Sequence, residues 1–171
     1  MRLSLVVLVT GVAATATADP KVPQEVTDLA KSLTGTWKCT GTATLAPEPE
    51  APLTGTLKTR ADLDGFWIRD VFDAKVGKTT RFKYEAFTTF DGKKWRRVLL
   101  DNRGSQALGT CDGVKDGGRM DWNLDVMGQG PVAMFRDHLD ATDPKLLKLS
   151  GELSSDKGKS WTKVYEMTCK K

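Results

Sequence analysis

The chain has 171 residues with 26 basic and 22 acidic side chains, a formal net charge of +4, three cysteines and one histidine. That length suits one ordinary domain with a proper core, and interspersed charges of both signs exclude the single-sign tail or stripe of a nucleic-acid binder. One histidine and no C-x-x-C exclude the common zinc spacings, so no metal site is expected.

Met1-Arg2, an apolar run from Leu3 to Ala14 and the small-residue site Ala16-Thr-Ala18 have the form of a secretory signal peptide. The run is shorter than the about 20 apolar residues of a spanning helix. No cysteine follows the cleavage point to carry a lipid. The expectation is cleavage near Ala18, an exported protein of periplasmic or secreted location, no membrane span, and one domain over residues 19–171.

After that segment, Val22, Val26, Leu29, Ala30 and Leu33 fall on one helical face over residues 22–33, with Pro23 tolerated at the start and Gly35 ending the turn. The period then switches to two. A strand is expected over 36–45, a proline-rich acidic loop over 46–52, and further strands near 53–62, 66–74, 80–90, 95–102, 105–111, 118–127, 131–140, 145–153 and 160–169. Turn chemistry separates them: Asp64-Gly65, Gly77-Lys78, Asp91-Gly92, Asn102-Arg-Gly104, Asp112-Gly113, Gly117-Gly118, Gly128-Gln-Gly130, Asp143-Pro144 and Lys157-Gly158. Met120, Trp122, Leu124 and Val126 alternate with Arg119, Asp121, Asn123 and Asp125, a strand with one buried face. Ten short strands with tight connections would leave two long edges in an open sheet, and closure removes them. The fold expected is all-β: an up-and-down antiparallel barrel of about ten strands with a short N-terminal helix plugging one end.

Export places the cysteines in an oxidising compartment where pairing is the rule. Cys39 on the first strand and Cys169 on the last become neighbours when a meander closes, and each shares a parity with the apolar residues of its strand. Cys39–Cys169 is the favoured pair; Cys111–Cys169 and Cys39–Cys111 stay open. The third thiol is left over or bridges to another molecule.

The helix followed by Leu33-Thr-Gly-Thr-Trp37 resembles the entry to lipocalin-like barrels, whose first strand carries G-x-W. With Asp64-Gly65-Phe66-Trp67-Ile68, Phe90-Asp91-Gly92-Lys93-Lys94-Trp95 and Leu100-Asp101, the chain more closely resembles bacterial exported proteins known as a domain of unknown function with a lipocalin-like barrel. The resemblance spans roughly 26–169 and implies a barrel with a lumen. It departs at Leu99, where an aromatic often stands. Ser154-x-Asp156-x-Gly158-x-Ser160-Trp161 resembles the Asp-box of sialidase-type propellers, but a single copy reads as a hairpin staple.

Candidate lumen residues are Trp37, Trp67, Tyr84, Trp95 and Trp122, with Asp101, Arg136 and His138 as polar fixtures. An apolar cavity with a few polar groups is what a small-ligand site requires. Phe66, Ile68 and Phe72 form the more apolar parity of the strand carrying Trp67, which leaves the direction of Trp67 open. No nucleophile elbow, selected carboxylate pair or phosphate loop is present, so nothing points to an enzyme. Three readings follow. The first is a barrel binding a small hydrophobic molecule, as a monomer or weak dimer and without a cofactor. The second is a structural or interaction protein of the envelope engaging a partner through Cys111 or an exposed face. The third, implied by a resemblance to nitrobindin-type barrels, is haem held by His138.

Overall fold

The structure, a computed structural model, describes residues 19–128 and 133–171. The signal-peptide segment and the Gln129-Gly130 part of the expected turn lie outside the described residues. Helix α1 (Gln24–Leu33) leads into strands β1 (Gly35–Ala43) and β2 (Ala51–Asp62). A short 3-10 turn (Leu63–Gly65) precedes β3 (Trp67–Val76), β4 (Thr80–Phe90), β5 (Trp95–Asp101), β6 (Gln106–Cys111) and β7 (Arg119–Met127). Strands β8 (Ala133–Asp143), β9 (Leu146–Ser154) and β10 (Thr162–Lys170) complete the chain. Each strand pairs antiparallel with the next, and β1 pairs with β10, closing a ten-strand up-and-down barrel.

Local chemistry sets the boundaries. Pro23 holds an extended conformation (φ −57°, ψ 138°), so α1 starts after it rather than at residue 22. Its buried face is Val26, Leu29, Ala30 and Leu33, and the Trp37 indole donates to the Leu33 carbonyl at 2.9 Å, tying the helix end to β1. Burying each large aliphatic side chain of that face is worth roughly 1.5–3 kcal/mol. The loop expected over 46–52 lies two residues earlier, over 44–50, because β1 ends at Ala43 and β2 begins at Ala51, and Glu48 in it accepts from the Thr80 hydroxyl. Strand β10 starts at Thr162, two residues late, because Ser160 belongs to the preceding turn. There Asp156 accepts the Lys159 and Ser160 amides and the Ser160 hydroxyl, Ser154 Oγ accepts the Gly158 amide, and Trp161 donates to the Gly158 carbonyl. Gly158 has φ +85°, a conformation that favours glycine. The motif is a hairpin staple, as its chemistry predicts.

The disulfide joins Cys39 and Cys169, directly opposed across the β1–β10 seam with Cα atoms 4.0 Å apart. It closes a separation of 130 residues. Cys111 is free, 3% exposed and packed inward, so the idea that the third thiol bridges to another molecule is corrected: it is not presented to a partner.

Burial divides the barrel interior lengthwise. At the end where β1 starts, Trp37, Ile68, Trp95, Cys111, Met120, Leu139, Leu147 and Cys169 are buried, and α1 packs there against β2, β3 and β4. At the opposite end Ala43, Leu53, Ala74 and Val76 are buried, while the larger inward residues Phe82, Tyr84, Leu99, Val126, Phe135 and Tyr165 are only partly buried. The barrel is therefore capped by α1 at one end and uncapped at the other, where its larger inward side chains keep some exposure.

Candidate functional site

Six strands carry polar side chains on the inward parity, most of them near mid-barrel. On β3 the inward series is Ile68, Asp70, Phe72, Ala74 and Val76; on β5 it is Trp95, Arg97, Leu99 and Asp101; on β8 it is Phe135, Asp137, Leu139 and Ala141. Strand β2 adds Thr59, β4 adds Tyr84 and Thr88, and β10 adds Tyr165, which shares the inward parity of Met167 and Cys169. Each of these strands thus replaces one apolar core residue by a polar one at mid-barrel.

The side chains meet. Arg97 donates to Asp137 at 2.7 Å and to Thr88 Oγ1 at 3.1 Å, and its guanidinium lies over the Trp122 ring, 4.1 Å from the centroid. Both members of the ion pair are nearly buried, at 11% and 12% side-chain exposure. Tyr165 donates to the other oxygen of Asp137. Asp70 accepts from the Thr59 hydroxyl at 2.6 Å through one carboxylate oxygen; the other has no hydrogen-bond partner among the described residues. The Tyr84 hydroxyl likewise has none among them, and the buried Trp122 indole N–H is unpaired as well.

Asp70 and Tyr84 lie deep in the fold on the inward parity and are only half-buried. Burial pushes the Asp70 carboxyl above its usual range; Arg97 and Thr59 oppose the shift and the charge of Asp137 adds to it. Burial, then the charges of Asp70 and Asp137, push the Tyr84 phenol up. Burial and Asp137 do the same to Tyr165. Both phenols are neutral donors at ordinary pH.

Gly151 makes room for this floor. It lies inward on β9 between Asp137 and Tyr165 in register. A Cβ there would meet the Tyr165 ring at 2.2 Å and the Phe135 ring at 2.5 Å. Without that glycine the two stacked rings, whose centroids are 6.3 Å apart, could not cross β9.

Of the residues expected in the lumen, Tyr84 is on its wall and Trp122 in its floor. Trp37 and Trp95 point inward but are packed into the capped half, 0% and 2% exposed. Asp101 stands at the open rim, where its carboxylate accepts the amides of Arg103 and Ser105 and caps the β5–β6 turn. Trp67, Arg136 and His138 are corrected. Trp67 shares the outward parity of Arg69 and Asp73. Arg136 lies over Trp161 outside the wall, 3.8 Å from the ring centroid. His138 pairs with Asp121 at 2.8 Å beside an external hollow of about 190 Å³. The polarity of alternation decides all three, since their neighbours Ile68, Asp137 and Leu139 occupy the inner face. Because His138 is the only histidine, the lumen offers no imidazole, and these residues do not fit a lumen haem held by it. Among the described residues no group of three metal-ligating side chains is gathered, and no helix is long and apolar enough to cross a membrane.

Thr59, Asp70, Arg97, Asp137 and Tyr165 were missed. The signal that marks them is a charged or phenolic residue on a parity otherwise apolar. A wider groove of about 760 Å³ runs outside along β2 and β3, lined by Thr56, Lys58, Lys75 and Arg81. Its side chains are solvated, and its carboxylate, Asp73, is already bound by Arg81 and Lys83. The inward cluster of charged and phenolic side chains makes the barrel interior the candidate site instead.

A family model matches residues 22–171. The chain belongs to DUF1579, a family described as a protein of unknown function. No curated protein matches this DUF1579 chain in sequence. Its fold is similar to the crystal structure of Rv2717c from M. tuberculosis, with a TM-score of 0.67 and 10% identity over 88% of this chain and 99% of that one. It is also similar to the S-type phycobiliprotein lyase CPES from Guillardia theta, with a TM-score of 0.56 and 13% identity over 86% of this chain and 92% of that one. At these identities the likeness is one of fold.

Proposed function

We propose that this DUF1579 protein is an exported, non-enzymatic barrel that takes a small, largely apolar molecule into the open half of its lumen. The observation that carries the reading is the contrast between the two halves. The large inward side chains of one are fully buried under α1, and the other keeps a partly exposed apolar wall of Phe82, Leu99, Val126, Phe135 and Tyr165 over a floor whose polar atoms are partly unpaired. A barrel evolved only for stability gains nothing from buried charge there, since a buried ion pair is weak support for a fold. An apolar wall with a few convergent polar groups is the usual form of a small-molecule site. The alternative of an interaction protein working through Cys111 loses its handle, because that thiol is buried.

Native mass spectrometry of protein purified from its own compartment, paired with a titration of the neutral dye Nile red, tests the reading. A retained mass released on denaturation, or saturable dye binding weakened by Leu99→Arg at the lumen wall, is expected. A bare-chain mass together with no dye binding overturns it.

A further inference from the structure

The charges on the inner wall are unequal. Asp70, Asp137 and, at the rim, Asp101 carry carboxylates on the inward parity, and Arg97 alone opposes them at mid-barrel. Arg97 is partly engaged: its Nη1 donates to Asp137, its Nε donates to Thr88, and its guanidinium lies over the Trp122 ring. An entering carboxylate or phosphate would meet one arginine already paired with Asp137 and two carboxylates, and like charges in a low-dielectric site repel strongly.

A donor meets the opposite situation. The second oxygen of Asp70 and the hydroxyl of Tyr84 are unpaired among the described residues, and both side chains are half-buried on the inward parity. They are close enough for the charge of Asp70 to act on the Tyr84 phenol. Facing Asp70 are Thr59 from β2, Tyr84 from β4, Arg97 from β5 and Asp137 from β8. Of these only Arg97 is cationic, and its hydrogen bonds go to Asp137 and Thr88 rather than to Asp70. Asp70 is therefore a buried carboxyl without a counter-ion of its own, which is costly unless a proton or a bound cation supplies the charge.

We propose that the lumen floor recognises the basic nitrogen of a small amphiphile, a protonated amine on an apolar body, with Asp70 as its counter-ion and Tyr84 as a second acceptor. The proposal rests on the lumen-binding reading and adds the chemistry of the head group. The apolar body lies against Phe82, Leu99, Val126, Phe135 and Tyr165, and the ammonium group reaches down to the floor.

Calorimetric titration of the protein at neutral pH with n-octylamine, octanoate and 1-octanol separates the two claims. Octylamine is expected to bind at least about tenfold more tightly than octanoate, the ratio that corresponds to one charge-assisted contact. In Asp70→Asn the ratio of octylamine to octanol affinity falls about tenfold by the same reasoning. Equal binding of octylamine and octanoate, with octanol also binding, overturns the head-group assignment and leaves the lumen reading standing. Binding of none of the three overturns both. Should Asp70→Asn fail to fold, the parent protein gives the answer through pH: octylamine affinity drops on acidification as Asp70 takes up a proton, while octanol affinity stays flat. A flat response for both overturns the proposal.

Discussion

Arg97→Met isolates the cost of the lumen floor. The substitution keeps most of the stem volume and removes the guanidinium. Asp137, 12% exposed at its side chain, is left with the Tyr165 hydroxyl and no cation. Thr88 loses its donor and Trp122 its stacking partner. Breaking a buried pair from one side costs about 3–5 kcal/mol, because the remaining charge is uncompensated. For a domain of this size each kcal/mol shifts Tm by roughly 2–4 °C, so even the lower bound of about 3 kcal/mol predicts a fall of roughly 6–12 °C. Thermal melts followed by circular dichroism at neutral pH, without reductant, give the number. The companion variant Arg97→Met/Asp137→Leu removes both charges and is expected to recover most of the loss, since an apolar pair of similar volume is often as stable as the ion pair it replaces. A single variant melting within about 2 °C of the parent, or a double variant showing only the sum of the two single losses, would refute the account of an internally paired floor.

Three further outcomes follow from the same structure. Burial holds the Asp70 carboxyl above its ordinary 3.8, so the folded state binds that proton more tightly than the unfolded chain, and stability falls as pH rises from the unfolded value through the folded one. Asp70→Asn should therefore melt above the parent at pH 7, with the gap closing below about pH 4, where both states of Asp70 are protonated; a gap that widens on acidification contradicts this. Gly151→Ala drives a methyl into the Tyr165 and Phe135 rings and is expected to cost about 1–3 kcal/mol while changing the near-ultraviolet dichroism of the aromatic cluster; unchanged spectra and stability would show that the rings are not held there. Reduction of Cys39–Cys169 removes a cross-link over 130 residues, which the chain-entropy model values at ~4–5 kcal/mol. It is read from the denaturant midpoint with and without reductant, and Ellman's reagent should titrate no thiol in the folded oxidised protein and one after unfolding, from Cys111.

The fold was largely legible because its signals are local. Period-two alternation, turn dipeptides and the switch from helical spacing at Gly35 placed ten strands to within about three residues, as is usual for element boundaries. The seam disulfide followed from closure and parity. The differences came from interactions reaching beyond nearest neighbours, such as Asp156 drawing Ser160 into a turn.

The site was less legible because residue type was weighed above residue parity. Tryptophans and the lone histidine drew attention as chemically distinctive, yet Trp67 and His138 sit on the outward parity, and Trp95 packs the capped half. Aspartates and arginines are abundant in a chain with 26 basic and 22 acidic residues, so none stands out by identity. What distinguishes Asp70, Arg97 and Asp137 is position: each occupies a slot between Ile68 and Phe72, Trp95 and Leu99, or Phe135 and Leu139, where alternation calls for a core residue. A charge in such a slot costs free energy unless it is paired, and pairing across the barrel requires a second misplaced charge on a non-adjacent strand. Two acids and one base on three inward parities imply both the ion pair and its unmatched remainder. That remainder is Asp70, and it is the one feature of the lumen that packing alone does not account for.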